Sequence, residues 1–227
     1  MTENRNHEEM SAFFNARATG YDNHMHASLA DAKTYYRKLA ESVPRTSAPI
    51  KILDLGCGTG LEIPAIFEKA PNARLTCIDL SAEMLQILRK KFPKDNIQII
   101  EGSYLAHELG KGVYEVILSS MTLHHLLPDQ KRILYQNLYT ALKNDGVYIE
   151  GDYIVPEEKM NCLLEAYKAL PEESKGGSHH IDIPLSLAVQ IKLLRQAGFM
   201  DIQKVYACGE NVILSAKKNN RTSDAAF

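Results

Sequence analysis

The stretch from Ile50 to Gly60, IKILDLGCGTG, constrains the possible folds of this 227-residue chain more than any other feature. A short run of β-prone apolar residues leads directly into three glycines spaced two apart, Gly56, Gly58 and Gly60. Glycine is needed where the backbone takes dihedral angles that side chains disfavour, or where a ligand approaches the main chain closely. Because the following LEIPAIFEKA has helical apolar spacing, we predict a strand, a glycine-rich turn and a helix whose first N–H groups face a ligand.

The spacing of the glycines distinguishes between two kinds of nucleotide ligand. A dinucleotide-binding turn needs its third glycine three positions after the second, where this chain has Leu61. The pattern of Asp54 followed by Gly56, Gly58 and Gly60 instead resembles the first motif of class I S-adenosylmethionine-dependent methyltransferases. The resemblance implies S-adenosylmethionine as cofactor, with the turn under its methionine half and Asp54 orienting its amino group. A tight turn without a ligand is the alternative interpretation, because short glycine motifs recur without function.

A carboxylate at the end of the second predicted strand adds to this resemblance. The run ARLTCIDL ends at Asp79, where an acid in a parallel nucleoside-binding sheet can accept hydrogen bonds from both ribose hydroxyls. Ser81 already occupies the cap position of the next helix. Leu80 and Met84 are candidate walls for the adenine, although a methionine in a helix is more often plain core. Ser103 stands where many family members have an acid that receives the adenine amino group.

An aromatic segment near the N-terminus also has a counterpart in the family. Phe13, Phe14, Ala18 and Tyr21 are spaced for a short helix and a loop. A similar segment in methyltransferases of the ubiquinone-biosynthesis type folds over the cofactor as a lid, which implies that Tyr21 lies near its sulfonium or carboxylate. A helix docked by its phenylalanines is a compatible interpretation. The predicted cofactor-binding residues are Tyr21, Asp54, Gly56, Cys57, Gly58, Asp79, Leu80, Met84, Ser103, Tyr104 and Ser119.

Capping and turn signals predict the boundaries of further elements. We expect Ser28 to cap a packing helix that Pro44 stops. Gly146 is the predicted breaker before the fifth strand. Gly198 is expected to end the last helix, ahead of a hairpin that turns at Gly209.

Together these segments predict an α/β fold. It consists of a Rossmann-like, seven-stranded, mostly parallel sheet with a C-terminal antiparallel hairpin, helices on both faces and a helical lid. We expect a single methyltransferase domain over residues 1–227. Its parts are an N-terminal helical lid (1–45), a cofactor-binding core (46–155), a substrate-lid insertion (156–184), a C-terminal helix and hairpin (185–218) and a tail (219–227).

Composition limits the expected partners and compartment. A formal net charge of −2 gives no overall attraction to nucleic acid or acidic lipid. The cysteines lack metal-type spacing, and Cys57 and Cys77 fall in predicted buried positions, which favours reduced thiols in the cytosol. The first residues do not look like a signal peptide, and no apolar run is long enough to span a membrane. We therefore expect a cytoplasmic monomer or homodimer with a small-molecule acceptor and without a membrane or nucleic-acid partner.

The predicted chemistry needs a base on the acceptor side. Methyl transfer from a sulfonium is an in-line displacement in which the protein aligns donor and acceptor and, for many acceptors, removes a proton. His124 and His125 follow the fourth strand, and Glu150 and Asp152 lie at the downstream end of the fifth, facing the expected acceptor pocket. Histidine titrates near neutrality and suits this task. We predict catalytic roles for His124 first, then Asp152 and His180, and an exposed or core-capping role is the alternative for each histidine.

A metal site is an alternative use of the same groups. The late loop KGGSHHIDIPLS carries His179, His180 and Asp182, which together with Asp152 offer imidazole and carboxylate ligands. The acidic ligand set of metal-dependent catechol methyltransferases does not appear in matching positions. We therefore predict no metal.

The predicted function is transfer of a methyl group to an oxygen or nitrogen atom of a small molecule. Two alternatives stay open. One is methylation of a transfer-RNA base, for which RNA binding would depend strongly on salt. The other is a non-catalytic protein that binds S-adenosylmethionine or S-adenosylhomocysteine. A nicotinamide-dependent oxidoreductase conflicts with the glycine spacing.

Overall fold

The structure is a computed structural model that describes residues 9–29, 31–93, 96–170 and 180–219. Its strands are β1 (Lys51–Leu55), β2 (Arg74–Asp79), β3 (Ile97–Glu101), β4 (Tyr114–Ser120), β5 (Leu142–Tyr153), β6 (Met200–Cys208) and β7 (Asn211–Lys217). They form a seven-stranded sheet in the order β3-β2-β1-β4-β5-β7-β6. Strands β1 to β5 run parallel, and β7 pairs antiparallel with both β5 and β6. The predicted mostly parallel sheet with a C-terminal antiparallel hairpin is confirmed.

Helices cover both faces of this sheet. The α-helices of the described residues are α1 (Met10–Arg17), α2 (Tyr21–Ser28), α3 (Ala32–Leu39), α4 (Ile63–Lys69), α5 (Ala82–Lys91), α6 (Pro128–Ala141), α7 (Glu157–Lys168) and α8 (Leu187–Ala197). Short 3₁₀ helices span Ala18–Gly20, Ala40–Ser42 and Leu123–His125. The prediction of helices on both faces is confirmed.

Alternate strand residues point to opposite faces and build two hydrophobic cores. Ile52 in β1 and Ile149 in β5 pack in one core, which contains side chains of α3, α4 and α5. Leu53 and Tyr148, each one position away, pack in the other core with side chains of α6, α7 and α8. The central strands are therefore buried on both faces, as parallel sheets usually are.

The downstream ends of the parallel strands meet at one edge of the sheet. The glycine turn follows β1, Asp79 ends β2, His124 follows β4 and Asp152 lies near the end of β5. In open α/β sheets, ligands bind at this edge. The fold thereby brings together residues that are far apart in the chain.

The predicted cap of the third helix is wrong. Ser28 is the last residue of α2 and does not begin α3. Asp31 caps α3 instead, because its Oδ1 accepts a hydrogen bond from the backbone N–H of Thr34 at 3.0 Å. The helix ends at Leu39, before the 3₁₀ turn that precedes Pro44.

The predicted breaker before the fifth strand is also misplaced. Asp145, with a φ of 60°, takes the left-handed conformation next to Gly146, whose own φ is not positive. Strand β5 already begins at Leu142. Gly146 is needed for a different reason, since a Cβ there would lie 2.9 Å from the carbonyl oxygen of Lys143.

Other local predictions agree with the structure. Gly198 ends α8 with a φ of 105°, and Gly209 turns the final hairpin with a φ of 59°. Cys57 and Cys77 are buried and unpaired. Within the described ranges, no helix is both long enough and apolar enough to cross a membrane. Residues 171–179, which include His179 and the first five residues of the predicted late loop, lie outside the described residues.

Candidate active site

The glycine turn after β1 exposes main chain to a cavity. Gly56 and Gly58 have φ angles of 64° and 50°, which glycine adopts at little steric cost. A Cβ on Gly56 would overlap the side chain of Thr122, so this glycine lets the turn pack against the segment after β4. A Cβ on Gly58 would come within 4 Å of a single atom, Cε1 of Tyr21 at 3.8 Å. Gly58 therefore borders open space that a side chain would fill.

A cavity of about 150 Å³, here called the first cavity, lies above this turn. Eight of the eleven residues predicted to bind the cofactor line it. They are Tyr21, Gly56, Gly58, Asp79, Leu80, Met84, Ser103 and Tyr104. Thr122, Gln130, Tyr167 and Ile181 also line it. The segment from Ser119 to His124, which includes Thr122, is expected from the sequence to line the gap between cofactor and acceptor. The sequence did not predict Gln130, Tyr167 and Ile181, because no local motif marks them.

The other three predicted cofactor residues do not line the first cavity. Asp54, Cys57 and Ser119 are buried. Cys57 packs in the core that contains α4 and α5. Ser119 Oγ lies 3.0 Å from the hydroxyl of Tyr148, on the face of β4 that points toward α6. Direct cofactor contact by these residues stays a prediction.

Asp54 and Glu62 form a buried carboxyl pair behind the turn. Both oxygens of Asp54 and Oε1 of Glu62 lack a hydrogen-bond partner among the described residues. Burial and the neighbouring charge of Glu62 hold the pKa of Asp54 well above its usual value, and burial also raises the pKa of Glu62. Buried acceptors without donors are costly, so the pair fits a positively charged donor such as the ammonium group of S-adenosylmethionine. Glu62 was missed because its place before α4 looks like an ordinary helix start.

Asp79 connects the end of β2 to the glycine turn. Its Oδ2 accepts a hydrogen bond from the N–H of Gly58, and its Oδ1 accepts one from the N–H of Ser81, both at 2.8 Å. Burial raises the pKa of Asp79, and these backbone donors oppose the shift. A carboxylate oxygen can accept more than one hydrogen bond, so Asp79 can still accept from ribose hydroxyls.

Helices α1 and α2 close over the first cavity. Asn15 Oδ1 accepts a hydrogen bond from Ser81 Oγ at 2.7 Å, which joins α1 to the start of α5. Asp22 accepts a hydrogen bond from Thr59 Oγ1 at 2.5 Å and forms an ion pair with Lys91. These contacts hold the N-terminal helices against the glycine turn and α5.

A second cavity, of about 620 Å³, adjoins the first. Phe14, Tyr21, Met121 and His125 line both. The rest of its wall is largely aromatic rings and imidazoles. It includes Phe13, His24, His124, Tyr153 and His180. Ligands in the two cavities would meet at the shared boundary.

His124 and Asp152 form a buried hydrogen-bonded pair beside the second cavity. His124 Nδ1 lies 2.5 Å from Asp152 Oδ1, and the backbone N–H of His124 donates to Asp152 Oδ2 at 2.9 Å. Although burial alone would raise it, the charge and the hydrogen bond of His124 lower the pKa of Asp152. Because the ionised carboxylate only accepts, the hydrogen atom of this bond lies on Nδ1 of His124, and Nε2 is the ring nitrogen that Asp152 does not engage.

The late loop adds His180 and Asp182 to this group. His180 stacks on Phe13 with ring centroids 3.7 Å apart. Burial and the neighbouring His125 lower the pKa of His180 to about 4, and burial lowers the pKa of His125 as well. Burial opposes the shift of Asp182, but the hydrogen bond and charge of His125 lower its pKa to about 2. The lowered pKa values of His125 and His180 favour their uncharged imidazoles beside the ionised carboxylate of Asp182.

Glu150 does not face the acceptor side as predicted. It accepts hydrogen bonds from the hydroxyls of Tyr135 and Tyr148 at 2.8 and 3.0 Å, and its Oε1 lies 3.7 Å from the Nζ of Lys131. It precedes Asp152 by two residues on the same strand face, which places it about 7 Å deeper in the sheet. Glu150 therefore belongs to a buried network that joins β5 to α6.

Sequence comparisons identify relatives over most of the chain. A family model described as a methyltransferase domain matches residues 52–146. The chain is 30% identical over 183 residues to carboxy-S-adenosyl-L-methionine synthase of Wolinella succinogenes, and the match covers 74% of this chain and 75% of that protein. It is 25% identical over 170 residues to malonyl-(acyl-carrier protein) O-methyltransferase of Bacillus cytotoxicus, covering 73% of this chain and 56% of that longer protein.

A solved structure has the same fold. The complex of DhpI with SAH matches this chain with a TM-score of 0.70 and 16% identity. The match covers 93% of this chain and 96% of that one. At this identity the likeness concerns the fold alone, which agrees with the sheet topology.

Proposed function

Because this chain belongs to the class I S-adenosylmethionine-dependent methyltransferases, we propose that it transfers a methyl group from S-adenosylmethionine to an oxygen or nitrogen atom of a small-molecule acceptor. One observation carries the proposal: the cavity above the glycine turn and the imidazole-lined cavity share a boundary. A donor in the first cavity and an acceptor in the second would face each other there. This arrangement supplies the proximity and alignment that an in-line displacement needs.

On the donor side, residues of the glycine turn and strand ends are proposed to hold the cofactor. When bound, S-adenosylmethionine supplies an electrophilic methyl group on a positively charged sulfur. Gly58 leaves space for its close approach, and the carboxyl pair at Asp54 complements its positive charge. Asp79 is proposed to accept from the ribose hydroxyls. Leu80 and Met84 offer apolar surface for the adenine.

On the acceptor side, we propose that His124 takes up the proton of the acceptor. Asp152 holds the Nδ1 proton and leaves Nε2 available. As the acceptor atom bonds to the methyl carbon, the electron pair of the broken carbon–sulfur bond stays on the sulfur, and the acceptor proton passes to Nε2. Asp152 then stabilises the imidazolium that forms. His180, which stacks on Phe13 and lies beside the same Asp182 oxygen as His124, is also proposed to contact the acceptor.

The walls of the second cavity favour a small, partly aromatic acceptor. Phe13, Phe14 and Tyr153 present flat rings, and the imidazoles can hydrogen-bond to polar atoms. A volume of about 620 Å³ lies within the roughly 300–1,000 Å³ typical of small-molecule sites. The formal net charge of −2 does not favour an RNA acceptor.

The N-terminal segment is proposed to act as a lid over both cavities. Phe14 and Tyr21 line both of them. Their helices are attached to the core by the contacts of Asn15 and Asp22. Tyr167 of α7 lines the first cavity, which supports a second lid within residues 156–184. The division of one domain into these parts is likewise a proposal.

Methyl-labelled S-adenosylmethionine tests the proposed function. The chain is incubated with a cell extract that is then separated into small-molecule, RNA and protein fractions. We expect label in the small-molecule fraction, and loss of that label with Asp152→Asn. Label in the RNA fraction would support transfer-RNA methylation instead. Cofactor binding measured by calorimetry, without label in any fraction, would support a non-catalytic binder.

A second candidate function is synthesis of carboxy-S-adenosyl-L-methionine, the product that names the Wolinella relative. The 30% identity over 75% of that protein supports it. In this case the second cavity would hold the source of the carboxyl group. Mass spectrometry of the nucleosides after incubation with extract separates the two candidates. S-adenosylhomocysteine accumulates if a methyl group is transferred to an acceptor, and carboxy-S-adenosyl-L-methionine accumulates in the other case.

A further inference from the structure

Three imidazoles surround one carboxylate oxygen beside the second cavity. Asp182 Oδ1 lies 3.1 Å from His125 Nδ1, 3.6 Å from His124 Nε2 and 3.7 Å from His180 Nε2. His124, His125 and Asp182 each offer one ligand atom, and these atoms all lie within 4.8 Å of one another. His125 Nδ1 also donates a hydrogen bond to the carbonyl oxygen of Ile181 at 2.6 Å, so a cation bound through this nitrogen would displace its proton, as metal binding to protein ligands does. We propose that His124, His125 and Asp182 bind a divalent transition-metal cation such as Zn²⁺.

The spacing and the donor types suit such a cation. With metal–ligand bonds of about 2.0–2.1 Å in a tetrahedral site, neighbouring ligand atoms lie roughly 3.3 Å apart. Asp182 Oδ1 lies 3.1 Å from His125 Nδ1 and 3.6 Å from His124 Nε2, one distance on each side of this value. Imidazole nitrogens with one carboxylate oxygen favour zinc, iron or a similar metal, whereas magnesium and calcium prefer oxygen ligands throughout.

The surroundings of His124 are those of a metal ligand. Its Nδ1 is held 2.5 Å from Asp152 Oδ1, so the ring is oriented with Nε2 toward Asp182. Histidines that bind metals almost always donate their other N–H to a carboxylate, a carbonyl or water. Asp152 is therefore a positioning residue for this site, not one of its ligands.

Three protein ligands leave a coordination position for another molecule. The side chains of His124 and His125 are buried, whereas that of Asp182 is 60% exposed, so a cation can enter from solvent. All three residues line the second cavity. Sites with three protein ligands and an open position are typical of catalytic metals.

The role of the cation, unlike its binding, rests on the proposed function. With the cation bound, His124 Nε2 is a ligand and no longer takes a proton. A bound cation would bind an oxygen of the acceptor and lower the pKa of that hydroxyl. The hydroxyl proton would pass to solvent as the oxygen bonds to the methyl carbon, and the electron pair of the broken carbon–sulfur bond would stay on the sulfur. A cation in this role would restrict the acceptors to small molecules with a hydroxyl group that can coordinate a metal.

Cobalt binding tests the site without reference to activity. The full-length chain without a histidine tag is treated with a chelator, desalted and titrated with Co²⁺. We expect one equivalent to bind, with visible absorption bands that Zn²⁺ abolishes. Asp182→Asn should weaken cobalt binding at least about tenfold. Because the Asp182 side chain is 60% exposed, the substitution should leave the fold intact. Asp129→Asn, which alters a carboxylate that is 90% exposed, and His26→Gln should bind cobalt as the unaltered chain does.

Calorimetry with S-adenosylmethionine on the same samples separates this proposal from the proposed function. Asp182→Asn should bind the cofactor within about twofold of the unaltered chain, because Asp182 does not line the first cavity. Cobalt binding that is absent, or equal in Asp182→Asn, would overturn the metal site. If the unaltered chain fails this cobalt test but still methylates a small molecule, the proposed function stands without the metal site. A chain that binds cobalt at these residues but methylates nothing would support the metal site and overturn the proposed function.

Discussion

The two cavities differ in how their walls are assembled. Eight of the nineteen residues that line the first lie at or just after the downstream ends of β1, β2 and β3, and two of these eight, Gly56 and Gly58, offer main chain. The second draws side chains from α1, from the segment after β4, from the end of β5 and from the late loop. Phe13, His124, Tyr153 and Asp182 come from these four places. A few local motifs therefore define the donor side, whereas only the folded chain assembles the acceptor side.

This difference indicates which half of the site can vary. A cavity bounded by backbone and strand ends depends on the sheet itself, so it is shared across the fold family. A cavity made of side chains from several elements can change its chemistry without a change of fold. The relatives named as acting on different molecules are consistent with such variation.

The largest expected effect is on the first cavity. Gly58→Val would place a branched side chain at a φ of 50° and fill the space toward Tyr21. We expect S-adenosylmethionine affinity, measured by calorimetry, to fall at least about 100-fold, which is about 2.8 kcal/mol. Gly112→Val is the matched control, since Gly112 has a φ of 62° with open space around it. Equal loss of binding in both variants would show that backbone strain, not the shape of the cavity, is responsible.

A change on the acceptor side should affect turnover but not cofactor binding. Asp152→Asn replaces the carboxylate that accepts from His124 Nδ1 with an amide that can donate to Nδ1 and favour the wrong tautomer, so kcat should fall by about 100-fold to 10,000-fold. The cofactor Kd should stay within about twofold, because neither residue lines the first cavity. Asp129→Asn serves as the control. Parallel losses in kcat and cofactor affinity would mean that the two cavities are not separate in function.

Asp54→Asn should stabilise the cofactor-free chain and weaken cofactor binding. Folding raises the pKa of the buried Asp54 carboxyl group. Its contribution to the stability of the fold is therefore complete below the unfolded-state pKa of about 3.9, and this contribution is lost as the pH rises through the folded-state pKa. At pH 7 the neutral amide of the Asp54→Asn variant avoids this loss of stability and can donate a hydrogen bond to Glu62. The melting temperature should rise by about 2–4 °C, or about 1 kcal/mol, and cofactor affinity should fall about tenfold.

Thermal unfolding between pH 4 and pH 8 checks the physical cause. The stabilisation by Asp54→Asn should be smallest at the acidic end, where Asp54 is protonated, and should grow toward pH 8. A gain that does not change with pH would show that the buried charge is not its source.

The smallest expected effect concerns the attachment of the N-terminal helices. The Lys91 and Asp22 side chains are 29% and 33% exposed, so their ion pair contributes only about 0.2–1 kcal/mol. Lys91→Met should speed cofactor release about two- to fivefold in stopped-flow measurements, and the effect should shrink at high salt. Lys159→Met, which removes a pair with Glu210 at the surface, should not change release. No difference between the variants would argue against the N-terminal segment as a lid.

The sequence predicted the first cavity better than the second for a physical reason. Positive φ angles, strand ends and helix caps leave signals within a few residues, and most of the predicted donor-side residues carry such a signal. Glu62 carries none, since its importance depends on the buried carboxyl group that it lies beside. The pairing of His124 with Asp152 likewise depends on the register between β4 and β5.

The errors have the same origin. Ser28 has the right chemistry for a cap, but Asp31 has the non-helical backbone that capping requires. Glu150 lies on the same strand as Asp152, but two residues of strand are enough to move it from the site into a buried network. Residue type and spacing could not separate these cases, because both depend on the path of the backbone.

The sequence by itself determined the glycine turn and most of the strands and helices, because hydrophobic periodicity and glycine spacing are local constraints on the backbone. The motif at the turn carried the resemblance to the family, and the resemblance implied the mostly parallel sheet. Only the tertiary structure decided which carboxylates and imidazoles meet. The buried pair at Asp54 and the cluster around Asp182 join residues from separate elements. Their charges and hydrogen bonds depend on burial and distance, and neither is defined until the sheet and its helices are packed.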